Sequence, residues 1–231
     1  MKTNEFGQVI GEAVPGFTPG GLPTAASIEG RYTRLEKLNE SHKEALYAVY
    51  GPDTPAQMWT YLAGSSVANE AEWDDFFERL LRDSSKFYYV ILDKNTQKAL
   101  GTFALMRLDT ANRVVEIGSV TYLPELQRTR MATEAQYLMA RYVFEEMGYR
   151  RYEWKCDALN EPSKRAAKRL GFTYEGRFRQ AVVYKGRTRD TDWYSMIDQE
   201  WPKLKERFEK WLHPENFNEE GVQYHSLSQQ S

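Results

Sequence analysis

Hydrophobic and polar positions change their period several times along the chain, and each change marks an element. Residues 1–26 have no period: Gly7, Gly11, Pro15, Gly16, Pro19, Gly20, Gly21 and Pro23 break every run, which predicts an arm with Val14 and Phe17 as apolar anchors. Residues 27–38 alternate and read as a first strand, and Ser41 is placed to cap a short helix ending near Gly51. Trp73, Phe76, Phe77 and Leu80 recur at helical spacing, which predicts a second helix over about 71–82 with its aromatics in the core. Two β-rich runs, 87–92 and 99–107, flank the polar turn 93–97, and 113–122 follows as a third, so the three read as an antiparallel meander.

The period then returns to that of a helix. Met131, Ala135, Leu138 and Tyr142 mark one face over 129–147, Met139 and Val143 broaden it, and Gly148 supplies the stop. Residues 151–156 read as a strand, and Asn160 caps a helix that has Pro162 in its first turn and stops at Gly171. Two more strands, 172–184 and 188–197, join through Lys185-Gly186, and the chain beyond about His213 is polar and reads as a frayed tail. The expected organisation is an arm (1–26), one α/β (α+β) domain with a mixed, mostly antiparallel sheet of about seven strands (27–212), and a tail (213–231).

Composition narrows the function. Of 231 residues 41% are hydrophobic and 28% charged, enough for one well-buried core, and the net charge of −2 argues against a general nucleic-acid binder. The charge is uneven, because residues 148–189 hold twelve Lys/Arg against four acids. An anionic cofactor accounts for that, and so does a solvated helix face; few aromatics interleave with the charges, which disfavours RNA. The single cysteine, Cys156, excludes an intrachain disulfide and suits a reducing cytoplasm. His42, His213 and His225 have no metal-ligand spacing, and no apolar run has the length of a signal peptide or membrane span. The expectation is a cytoplasmic protein with no metal and no membrane, as monomer or homodimer.

The chemistry gathers at two places. The third strand of the meander ends in Val120-Thr121-Tyr122, and Gln127-Arg128-Thr129-Arg130-Met131-Ala132-Thr133 opens the next helix. A strand that feeds a helix through a tight basic turn presents unpaired backbone N–H groups and the positive end of a helix dipole to an anion. The turn resembles the Gln/Arg-x-x-Gly-x-Gly/Ala motif with which GNAT-superfamily acyl-CoA N-acyltransferases grip the pyrophosphate of coenzyme A, with Arg130 where the first glycine would stand. The second place is Asn160-Glu161-Pro162-Ser163 followed by Ala166-Ala167-Lys168-Arg169-Leu170-Gly171-Phe172, which resembles the capped helix of the RimJ/RimL-like branch, home of ribosomal-protein N-terminal acetyltransferases.

That resemblance covers nearly all of residues 28–202 and implies the GNAT fold, two central strands that splay to hold acyl-CoA, and acetyl-CoA as co-substrate. It implies direct transfer of the acetyl group to a primary amine, on a small molecule or a peptide N-terminus. A backbone N–H of Val120–Tyr122 would meet the oxyanion, Asn160 would donate to pantetheine, and Ser163 would protonate the departing thiolate. Asn160 and Ser163 also fit as plain helix-start residues. Glu116 is the first candidate for removing the amine's proton, and an ordinary solvated strand carboxylate is the competing reading; Asp157, Asp190 and Asp192 follow, with Tyr184 and Tyr194 able to order water. Strand alternation predicts Glu116, Gly118, Val120 and Tyr122 on one face. Val182 stands where some ribosomal-protein enzymes carry a glutamate, so their substrate does not transfer, and Cys156 has no histidine partner that would make it a nucleophile. A catalytically silent acyl-CoA-binding or interaction module and use of a different acyl-CoA are the alternatives.

Overall fold

The computed structural model describes residues 2–229, so Met1 and the last two residues of the expected tail lie outside the described residues. Two short strands, β1 (Lys2–Thr3) and β2 (Val9–Ile10), pair as a small exposed hairpin. The rest builds one eight-stranded sheet from β3 (Ser27–Glu29), β4 (Thr33–Lys37), β5 (Lys86–Asp93), β6 (Ala99–Asp109), β7 (Val114–Tyr122), β8 (Arg151–Asp157), β9 (Thr173–Tyr184) and β10 (Arg187–Ile197), in the order β3-β4-β5-β6-β7-β8-β10-β9. Every pairing is antiparallel except β7 with β8.

Helices cover both faces. On one side α1 (Lys43–Tyr50) and α2 (Glu70–Arg82) pack Leu46, Val49, Trp73 and Phe77 against Tyr88 and Val90 of β5 and Ala104 of β6. On the other, α3 (Arg130–Arg141), α4 (Glu161–Leu170) and α5 (Trp201–Leu212) share a larger core with Phe103, Ile117, Tyr152, Trp154 and Tyr194. The buried apolar cluster under α1 and α2 takes its strand residues from β5 and β6 alone. Across β8, β10 and β9 that face carries the charged Glu153 and Lys155 beside the rings of Trp193 and Phe178.

Several expected elements are redrawn. The single strand over 27–38 is two: the chain turns at 30–32 because the buried Glu134 carboxylate of α3 accepts from the N–H groups of Arg31, Tyr32 and Thr33 and from the Thr33 hydroxyl. Asn39, not Ser41, caps the helix start, with Ser41 N–H donating to its side chain. The long helix changes at Tyr142–Glu146 into a wider π turn, and the Tyr142 hydroxyl there accepts from the N–H groups of Thr24 and Ala25. Gly20 N–H donates to Thr110 O and Gly21 O accepts from Tyr149 OH, in the turns that precede β7 and β8, so this part of the arm lies where those strands begin.

The tail is not frayed over its described length. Phe217 and Leu227 are buried in the larger core, and the Asn216 carboxamide is tied to Trp211 and His225. Its polar composition hides apolar anchors spaced too far apart to show a period.

Candidate active site

The site begins where the two parallel strands separate. β7 and β8 pair at Val114↔Arg151, Val115↔Tyr152, Glu116↔Glu153 and Ile117↔Trp154, and no further. Beyond that point β7 runs on to Tyr122 still held by β6, and β8 to Asp157 still held by β10. Each strand is therefore fixed on its outer edge and leaves the peptide groups of its inner edge without a strand partner. An extended chain segment is the complement of such a gap.

A β-bulge sits in this stretch, with Ser119 at φ +49° and the β6–β7 register shifting between Ala104↔Gly118 and Thr102↔Thr121. The extra residue reverses the alternation. Glu116 and Gly118 keep one face, while Tyr122 points to the α3 side, where its hydroxyl accepts from Gln136 Nε2 at 2.7 Å. The expectation that Glu116, Gly118, Val120 and Tyr122 share a face is thus corrected; strict period-two reasoning fails wherever a residue is inserted.

The turn after β7 is built as an open donor set. Gln127 Nε2 donates to Tyr122 O, Arg128 takes the left-handed conformation (φ +64°), and the Thr129 hydroxyl accepts from Ala132 N–H at 3.1 Å as N-cap of α3. The backbone N–H groups of Arg128, Arg130 and Met131 meet no acceptor among the described residues. Arg130 can replace a glycine because its guanidinium turns away, 4.3 Å from the Tyr32 ring and 5.5 Å from that of Phe217. Thr133 is buried and its hydroxyl accepts from Arg169, while the side chain of Arg128 is exposed and has no partner among the described residues.

α4 starts on the other side of the gap. Asn160 Oδ1 accepts from Ser163 N–H at 3.1 Å, which leaves the Asn160 Nδ2 donor free among the described residues. Ser163 Oγ accepts from Trp154 Nε1 at 2.9 Å, so the proton left on Ser163 is its own. Burial pushes the Cys156 thiol up, with a bond from Ser163 only partly opposing it, and a thiol held protonated is a poor nucleophile.

Glu116 is buried on the opposite face, but it is not alone. Lys155 Nζ lies 3.0 Å from Glu116 Oε2 and 2.8 Å from Glu153 Oε2, and Arg107 Nε lies 3.4 Å from Glu116. Burial raises the Glu116 carboxyl above its ordinary range, and Lys155, then Arg107, work against that rise. For Glu153 burial acts in the same direction, yet Lys155 and Arg151 overrule it and hold the carboxyl low. The Lys155 ammonium also lies 3.6 Å from the centre of the Trp193 ring, which pairs across from it in β10. Asp157 accepts from Tyr184 OH (2.8 Å) and Leu159 N–H, Asp190 from Gln180 N–H, and Asp192 is engaged by Arg177. Tyr194 lies buried on the α4 side.

Sequence reasoning missed Glu153, Lys155 and Trp193. The signal was present in Arg151-x-Glu153-x-Lys155, three charges on one face of a central strand, which a fold can bury only if they neutralise each other.

Comparisons with known proteins identify the family and the fold. The family described as acetyltransferase (GNAT) domain matches residues 33–173. The crystal structure of a GCN5-related N-acetyltransferase from Brucella melitensis superposes with a TM-score of 0.90 at 44% identity, over 93% of this chain and 98% of that one. A probable acetyltransferase (GNAT family) from Chromobacterium violaceum follows at TM-score 0.78 and 35% identity, over 84% and 98%. The uncharacterized N-acetyltransferase YoaA of Bacillus subtilis is 25% identical over 71% of this chain and 92% of its own length.

Proposed function

Because this chain belongs to the GNAT acetyltransferase family, we propose that it moves the acetyl group of acetyl-CoA directly to a primary amine, as an enzyme of the RimJ/RimL-like branch. The observation that carries the reading is the set of open N–H donors on Arg128, Arg130 and Met131, at the start of α3 and beside the unpaired ends of β7 and β8. Bound there, acetyl-CoA supplies an activated acyl group as a thioester. The pyrophosphate falls to Gln127–Thr133, and the inner edges of β7 and β8 hold pantetheine as a strand would be held, with Asn160 Nδ2 as a side-chain donor. N–H groups of Val120–Tyr122 stand where negative charge develops on the carbonyl oxygen.

Two protons must move. An ammonium has to lose one before it can attack, and Glu116, poised above the ordinary carboxylate range by burial, accepts it directly or through water. Ser163 gives its proton to the departing thiolate and is itself steadied by Trp154. The ion pair with Lys155 favours a second reading of Glu116 as a structural carboxylate, in which case Asp157 or a water on it takes the proton. In either reading residues 27–212 form the catalytic unit.

Calorimetry with acetyl-CoA and with truncated pantetheine tests the cradle. Acetyl-CoA should bind and raise Tm by mass action on the folded state, and pantetheine without the diphosphate should do neither to a comparable degree. Folded protein that ignores coenzyme A at high concentration removes the reading. Thiol release with an amine panel then separates an enzyme from a silent binding module.

A further inference from the structure

The last residue of α1 reaches into the sheet where β7 bulges. Tyr50 is buried among Trp59, Trp73 and Phe76, whose ring centres lie 5.9, 5.6 and 5.3 Å from its own, so packing fixes the direction of the phenol. Its hydroxyl lies 2.5 Å from Thr102 Oγ1 of β6 and also bonds to Thr121 of β7, which pairs across from Thr102. Thr121 Oγ1 in turn donates to Ser119 O at 3.4 Å. That last bond sets the order of protons. Thr121 spends its own on Ser119, so it accepts from Tyr50, and Tyr50 accepts from Thr102. Burial pushes the Tyr50 phenol up to about 12, so it keeps the proton it donates.

A buried phenol needs one partner, and Thr102 alone would supply it. The chain of hydroxyls instead runs on to Ser119, at φ +49°, in the stretch where Ser119 and Val120 stand opposite Phe103 alone. A serine holds that left-handed conformation only where its surroundings impose it. Ser119 C=O and Val120 N–H belong to one planar trans peptide, so they point in opposite directions. Thr121 and Tyr50 draw the carbonyl toward the face covered by α1 and α2, which turns Val120 N–H away from that face. Val120 lies beyond Ile117, on the stretch of β7 that β8 no longer pairs.

Resting on the acetyl-transfer reading, we propose that Tyr50 is a positioning residue: through Thr121 it sets the Ser119–Val120 peptide so that Val120 N–H meets the oxygen of the acyl carbonyl. Donors of this kind act because they are aimed before charge develops, so a hydroxyl that never touches the ligand governs the rate.

The thioester carbonyl stretch reads that N–H without waiting on turnover. In difference infrared spectra of acetyl-CoA isotope-labelled at the thioester carbonyl, the band of the ligand bound to the parent protein should lie below that of free acetyl-CoA. Tyr50→Phe and Thr121→Val each remove one hydroxyl and should move the band most of the way back, whereas Thr121→Ser keeps the hydroxyl and should leave it at the parent position. With an amine that is acetylated, kcat should fall about tenfold in Tyr50→Phe while KM for acetyl-CoA stays within about twofold. Near-UV circular dichroism checks the fold of each variant, and Thr121→Val carries the test if Tyr50→Phe does not fold. A band that stays at the parent position in the folded variants, or acetyl-CoA affinity that falls in step with the rate, reduces the chain to packing and overturns the proposal. Parent protein that binds acetyl-CoA with an unshifted carbonyl also overturns it, and leaves the cofactor reading standing. Parent protein that binds no acetyl-CoA removes both.

Discussion

At the scale of single residues, the decisive arrangement is one ammonium between two buried carboxylates. Glu116→Gln keeps the shape and removes the basicity, so turnover should fall near neutrality and recover in part at high pH, where free amine is abundant, with coenzyme A affinity nearly intact. An unchanged rate and pH profile under rate-limiting chemistry moves the base elsewhere. Lys155→Met leaves Glu116 and Glu153 facing each other, both are driven up, and stability should fall by about 3–5 kcal/mol, read as a lowered denaturation midpoint. The two carboxylates contribute to pH dependence with opposite signs. Glu153 is held low, so its stabilisation is present above the ordinary carboxylate pKa and is lost as pH falls through its folded value. Glu116 is raised, so the cost of ionising it appears as pH rises through the range above the ordinary value and is relieved in acid. Burial keeps Cys156 protonated, and Cys156→Ala should retain turnover.

Elements place these residues by ending their regular pairing at chosen points. β7 stops pairing with β8 after Ile117, and the bulge at Ser119 turns the rest of the strand so that Tyr122 packs beneath α3 while Glu116 stays on the opposite face. α4 then opens beside the gap through Asn160. Asn160→Ala should cost about 1 kcal/mol in Tm-derived stability and also raise KM for acetyl-CoA. Ser163→Ala leaves the cap in place, so it should lower kcat more than it weakens cofactor binding, a difference that single-turnover kinetics reads directly. Equal losses in the two quantities would assign Ser163 to binding alone.

On the scale of the whole molecule, the two ends of the chain brace regions far from each other. Residues 20–25 bond to Thr110, Tyr149, Tyr142 and Tyr89, at the end of the sheet away from the gap. The C-terminal stretch instead reaches the start of α3, where Phe217 lies against Arg130, and Leu227 is fully buried. Leu227→Ala should therefore destabilise by about 2–5 kcal/mol, as for a core leucine, and a denaturation midpoint within error of the parent protein would show that the tail is dispensable.

The sequence by itself determined the meander of β5 to β7, the helix between a capped start and Gly148, and the strand–cap–helix unit at Asn160. Each is announced within a few residues by a hydrophobic period, a cap or a glycine. It also located the open N–H donors at the start of α3, because helix-start donors are a local property of the backbone. The turn at 30–32, the burial of the tail and the Glu116–Lys155–Glu153 cluster were decided only in three dimensions. Glu134 meets Arg31 across about a hundred residues of chain, and Lys155 meets Glu116 only because two strands run parallel and side by side. An isolated charge in a sequence has no sign of burial or exposure until its neutralising partner is placed beside it, since the cost of desolvation depends on what stands within a few ångströms.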